Sequence, residues 1–256
     1  MLDIIDELNE IDRQQISAVF CLVTRTSGST PRKAGSKMLV FADGSIKGTI
    51  GGGSIEHQVI DDAVKMLCNG SEPVLKQFNL KDDLNMECGG SMQVYLEPLG
   101  CQPRLYIFGG GHIGKALAGY AAGLGFRPLV IDQREDIFQN WDVQKTETRT
   151  GDYLQVIDSL NFDKQTYIVI VTPQHAFDEQ LLVACLPREY AYLGMIGSRR
   201  KVAEISRRAE ELYHISPDLL KKVDMPVGIP FAAETPAEIA ISIVAKLIDV
   251  KNTLKK

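Results

Sequence analysis

One stretch constrains this chain more than any other. Arg104-Leu105-Tyr106-Ile107-Phe108 runs directly into Gly109-Gly110-Gly111-His112-Ile113-Gly114. The first five residues read as a strand, and the next six fit GxGxxG. A helical pattern over Lys115–Leu124 follows, then a second strand, Pro128–Ile131, that ends in Asp132. In such a strand–turn–helix–strand unit each glycine has a reason. Gly109 permits the tight turn, Gly111 lets a pyrophosphate approach the backbone, and Gly114 lets helix and strand pack closely. The free amides and partial positive charge of the helix start then suit phosphate. Asp132 is placed to accept hydrogen bonds from a ribose diol, whereas Arg134, two residues on, is placed to meet a 2′-phosphate. The competing reading is a degenerate domain whose glycines serve only packing.

The same rhythm persists downstream. Strands are expected at Arg104–Phe108, Pro128–Asp132, Tyr167–Thr172 and Tyr192–Ile196, mostly with helices between them. That alternation predicts a Rossmann-like parallel sheet with helices on both faces. A capping box, Thr235-Pro236-Ala237-Glu238, opens the last helix. Two strand ends carry polar residues where open α/β sheets bind ligands. After Thr172 come His175 and Asp178, suited to proton transfer or to a helix start. After Ile196 come Gly197, Ser198, Arg199 and Arg200, which read as donors at a helix N-terminus, or, with Lys201, as a solvated face.

The first hundred residues are different, and a smaller α+β domain is expected. Strands are predicted at 16–24, Lys37–Phe41, Ser45–Ile50, Val74–Phe78 and Met92–Leu96, with an Asp43-Gly44 hairpin turn. Gly51-Gly52-Gly53-Ser54 leads into a helix with apolar residues at Ile55, Val59, Ala63 and Leu67. Ser54 is the expected N-cap and Gly70 the stop. This second glycine run reads either as an anion site beside Glu56 or as a tight turn. Proline and glycine between Pro98 and Pro103 mark a linker, giving domains at 1–98 and 104–256 with 99–103 between them.

The remaining composition sets limits. With 256 residues, 45% of them hydrophobic, the chain can build two packed cores. Its net charge of -5 argues against nucleic acid as a partner. The start Met1–Gln15 lacks the pattern of a secretion signal, and no apolar run is long enough to span a bilayer, so a cytoplasmic address is expected. Five cysteines without a CxxC pair fit a reducing compartment. Cys21 and Cys185 sit in apolar patterns and read as core, and Cys68 and Cys101 offer no functional case. Cys88, in a loop before Gly89-Gly90, reads as a candidate metal ligand or nucleophile, or as a buried thiol. There is no GxSxG, and His57 and His112 are not spaced as a metal pair.

Taken together, these motifs resemble the XdhC/CoxI family of xanthine dehydrogenase accessory proteins. The resemblance rests on Thr26–Pro31, Gly48–Glu56, Cys88-Gly89-Gly90 and Leu96-Glu97-Pro98. It continues in Ile107–Gly114, Asp132 with Arg134, Thr172 with His175 and Asp178, Tyr192–Lys201 and Ala233–Ile239. It implies a carrier of the molybdenum cofactor, in its molybdopterin form, that protects the cofactor during sulfuration and delivers it to a molybdenum hydroxylase. It also implies a cysteine desulfurase-type sulfur donor and a homodimer. Carried over to this chain, it makes Gly51, Gly52, Gly53, Ser54 and Glu56 cofactor contacts and Cys88 a metal or sulfur contact. The cofactor-binding residues of the second half are then Gly109, Gly110, Gly111, His112, Ile113, Gly114, Asp132, Arg134, Gly197, Ser198 and Arg199, with His175 and Asp178 as candidates for proton transfer. The alternatives are an NAD(P)-dependent oxidoreductase and a nucleotide-sensing regulator.

Overall fold

A computed structural model describes residues 4–14, 16–69, 72–80, 89–100, 102–139, 141 and 146–254. The chain divides into two compact units, Met1–Cys101 and Gln102–Lys256.

The first unit is built on an antiparallel sheet of five strands in the order β3-β2-β1-β5-β4. These strands are β1 (Ala18–Ser27), β2 (Lys37–Phe41), β3 (Ile46–Gly48), β4 (Val74–Asn79) and β5 (Ser91–Leu99). Period-2 alternation decides which face is buried. Val19, Cys21 and Val23 of β1 join Met38 and Val40 of β2 and Met92, Val94 and Leu96 of β5 under helix α2 (Gly53–Asn69). From α2 come Ile55, Val59, Ala63 and Leu67, the stripe its sequence predicts. The opposite face buries Ala18 and Leu39 with Ile11 of α1 (Ile4–Gln14). Sequence reading passes over α1, although Ile4, Leu8 and Ile11 lie at helical spacing. At the expected hairpin, Asp43 Oδ1 accepts from the Ser45 amide at 2.9 Å. Burial pushes the Cys21 thiol up to about 12, so this cysteine is a core hydrophobe.

The second unit is a parallel five-stranded sheet in the order β10-β9-β6-β7-β8. Its strands are β6 (Arg104–Phe108), β7 (Arg127–Asp132), β8 (Glu147–Thr150), β9 (Thr166–Ile170) and β10 (Tyr192–Met195). β9 is buried at every position, as a central parallel strand covered on both faces must be. One face packs against α4 (Tyr153–Asp158), α5 (His175–Cys185), α6 (Arg199–Tyr213) and the short α7 (Pro217–Leu220), the other against α3 (His112–Ala122) and α8 (Pro236–Leu254). Each fully buried Leu, Ile or Phe in these layers contributes about 1.5–3 kcal/mol. The predicted capping box forms at α8, where Glu238 accepts from the Thr235 amide at 3.0 Å and its own amide donates to Thr235 Oγ1. From β6 the chain steps outward through β7 and β8, then returns to the far side of β6 as β9. The order therefore reverses between β6 and β9, and the crevice between their carboxyl ends is where such sheets bind ligands.

Candidate functional site

The turn after β6 is shaped for close approach. Gly109 has φ +117°, a conformation that L side chains rarely adopt. A Cβ on Gly114 would lie 1.9 Å from the Gly109 carbonyl oxygen. A Cβ on Gly110 would lie 2.9 Å from the Phe138 ring. Gly111 differs: a Cβ there meets nothing within 4 Å, and its φ of -72° and ψ of -169° suit any residue. It caps α3 with no side-chain hydrogen bond, so the first-turn amides face open space. His112 is exposed at the first position of α3, and Ile113 packs into the core.

Asp132, at the end of β7, is only 1% exposed. Its Oδ2 accepts from the Gly110 amide at 2.7 Å and from Arg134 Nη2 at 2.8 Å. Its Oδ1 accepts from the Arg134 amide at 3.0 Å and Arg134 Nε at 2.9 Å. Four donors fill the four lone-pair directions of a carboxylate. Burial acts to raise the pKa of Asp132, but the Arg134 guanidinium and two amides outweigh it and hold the carboxyl below its ordinary value. A ribose diol therefore finds no vacant acceptor while Arg134 stays in place. The turn presents instead a guanidinium with 48% side-chain exposure.

At the ends of β9 and β10 the candidate residues are drawn inward. Asp178 is fully buried, accepts from Thr172 Oγ1 at 2.6 Å and is ion-paired with Lys201. Lys201, a candidate for a solvated face by sequence, has only 11% side-chain exposure. Glu179 pairs with Arg208 at 2.9 Å. Ser198 caps α6 by accepting from the Lys201 amide at 3.2 Å, leaving Arg199 and Arg200 exposed in the first turn and Gly197 half-buried. His175 begins α5, and its side chain is not among those described.

In the first unit three of the sequence motifs converge. A Cβ on Gly51 would lie 2.7 Å from Pro31 Cγ, and one on Gly90 would lie 2.3 Å from the Ser29 carbonyl oxygen. The turn at 27–31 therefore packs its Pro31 ring against Gly51 and its backbone against Gly90. Ser54 is not the cap of α2, which already includes Gly53. Glu56 takes the capping role from inside the helix. Its Oε2 accepts from the Ile50 amide at 3.1 Å, the Gly52 amide at 3.2 Å and Thr49 Oγ1. The chain's own carboxylate thus occupies part of the amide nest that an external anion would use. Burial works to raise Glu56, but these donors outweigh it and hold the carboxyl low. Gly53 and Ser54 remain exposed at the helix start. Cys88 and Gly70 lie outside the described residues, and among the described residues no cluster of His, Cys, Asp and Glu could hold a metal.

A group with a depressed folded value stabilises above its ordinary range, near ~4, and loses that contribution as pH falls through the folded value. Glu56→Gln is accordingly expected to lower stability at neutral pH by about 1–3 kcal/mol and to flatten the acid limb, as read by denaturant unfolding from pH 7 to pH 3.

Comparison with known proteins follows the same division. The XdhC Rossmann domain model matches residues 105–247, and the XdhC and CoxI family model matches residues 12–79. The chain belongs to the XdhC and CoxI family. It is 32% identical over 98% of its length to a protein of Escherichia coli K12 described as uncharacterized protein YqeB, covering 47% of that protein. It is 25% identical over 62% of its length to a Bacillus subtilis 168 protein described as a probable xanthine dehydrogenase subunit, covering 46% of that protein. The chain thus spans about half the length of these curated relatives. A Bacillus halodurans crystal structure described as a xanthine dehydrogenase superposes with a TM-score of 0.52 at 22% identity, covering 97% of this chain and 96% of that one, which shows a shared fold. Among the described residues no helix is long and apolar enough to cross a membrane.

Proposed function

We propose that the chain is an accessory factor that carries the molybdenum cofactor for a xanthine dehydrogenase-type molybdenum hydroxylase. The observation that carries this reading is the turn Gly109–Gly114, open above Gly111 and flanked by the Arg134 guanidinium. Bare amides and an arginine fit the phosphate of molybdopterin. When bound, the cofactor supplies the molybdenum–dithiolene chemistry that its client uses. The chain's own residues grip the phosphate at the start of α3 and hold Arg134 over it through Asp132. In this reading Cys88 contacts metal or sulfur, a cysteine desulfurase-type donor supplies the sulfur, and the factor works as a cytoplasmic homodimer.

The dinucleotide alternative retains one supporting observation. The half-exposed Arg134 guanidinium would suit the 2′-phosphate of NADP, and its pairing with Asp132 disfavours the ribose diol of NAD. Arg134→Ala is expected to weaken a phosphate-bearing ligand about tenfold or more by equilibrium titration, and to free Asp132 for a ribose. Protein purified from a host that makes the molybdenum cofactor tests the main reading. Denaturation is expected to release a fluorescent pterin and molybdenum; release of a nicotinamide dinucleotide alone would overturn it.

A further inference from the structure

A groove beside β6, β7 and β8 is a feature that neither the crevice nor the sequence motifs account for. Arg104 and Arg127 open neighbouring parallel strands and are register partners. Arg149 lies on the next strand, with Ile131 as its partner. All three line one groove of about 210 Å³, on the sheet face that packs against α4. The groove is roofed by the exit of that helix, where the Tyr106 hydroxyl donates to the Asn161 carbonyl at 2.7 Å.

Like charges placed side by side on paired strands repel, so such a row needs negative charge. Among the described residues that charge is unevenly supplied. Arg104 is paired with Asp163, and Arg127 with Glu147 at 2.6 Å. Arg149 reaches only a neutral oxygen, Ser159 Oγ, at 3.0 Å, and makes no ion pair among the described residues. Arg104 Nε is buried and has no hydrogen-bond partner among them. A buried donor without an acceptor is costly. A cation without a carboxylate partner and an arginine with an orphaned donor therefore line the same small groove.

We propose that this groove is a second anion site, for a phosphate group, either free or as a monoester. Arginine's planar fork matches a phosphate oxygen pair, and the groove is large enough to admit a phosphate. Its lining includes no residue of the Gly109–Gly114 turn and neither Asp132 nor Arg134, which sets it apart from the crevice. A phosphate held here would neutralise the arginine row and pin β8, an edge strand exposed at every position.

Amide NMR of the full chain, titrated with inorganic phosphate at constant ionic strength, tests the site directly. The amides of Arg149, Ser159 and Asn161 are expected to shift with one midpoint, unchanged in Gly111→Val. In Arg149→Ala, a truncation on an exposed edge strand, the midpoint is expected to rise at least about tenfold. The proposal is overturned if those amides do not respond, if the midpoint is the same in Arg149→Ala, or if citrate moves them and phosphate does not.

Discussion

Gly111→Val is expected to leave the second unit folded and to cut affinity for a phosphate-bearing ligand by about a hundredfold or more. Both halves follow from the geometry. The valine Cβ meets no atom within 4 Å, and the backbone there is already extended, so the native state tolerates it. The same side chain then occupies the space above the first-turn amides of α3. An anion pushed away from those amides loses charge-assisted hydrogen bonds of about 1.5–3 kcal/mol each, and every 1.4 kcal/mol is about tenfold. Titration calorimetry beside a denaturation curve separates the two effects. Unchanged affinity in a folded Gly111→Val protein would move the ligand elsewhere. Gly114→Ala makes the contrast, because its Cβ would lie 1.9 Å from a carbonyl oxygen and the loss would be one of folding.

Asp178→Ala is expected to destabilise the same unit by about 3–5 kcal/mol, because it leaves Lys201 inside without its partner. Thr172 keeps only the Gln174 carbonyl as acceptor. Asp178→Leu combined with Lys201→Met removes both charges, and much of the loss is expected to return. Urea unfolding measures both. A single variant with wild-type stability would show that the buried pair contributes nothing to this end of the sheet.

Local chemistry made much of this structure legible. Gly109–Gly114 between an apolar strand and a helix announced a parallel α/β unit, and β6, β7, β9 and β10 fall where their apolar runs lie. The edge strand β8 escaped because Glu147-Thr148-Arg149-Thr150 is exposed throughout and carries no buried face to betray it. Only its two threonines hint at extended backbone. The cap of α2 was misplaced for a similar reason. Ser54 has the right chemistry in the expected place, but Glu56 reaches back and takes the amides first. Distance in sequence hid the rest. Nothing local tells Lys201 that its partner is Asp178, or brings the Pro31 loop against Gly51. The saturation of Asp132 was nearer to hand, since a carboxylate and a guanidinium two residues apart at a strand end readily pair.

The central claim is that bare main-chain amides at the start of α3, beside Arg134, hold the phosphate of molybdopterin. Titration of the metal-free protein with molybdopterin, followed by pterin fluorescence in wild type and Gly111→Val, addresses it most directly. Saturable binding that the valine abolishes is the predicted result. Equal binding in both proteins, or none in wild type while NADP binds, would contradict it.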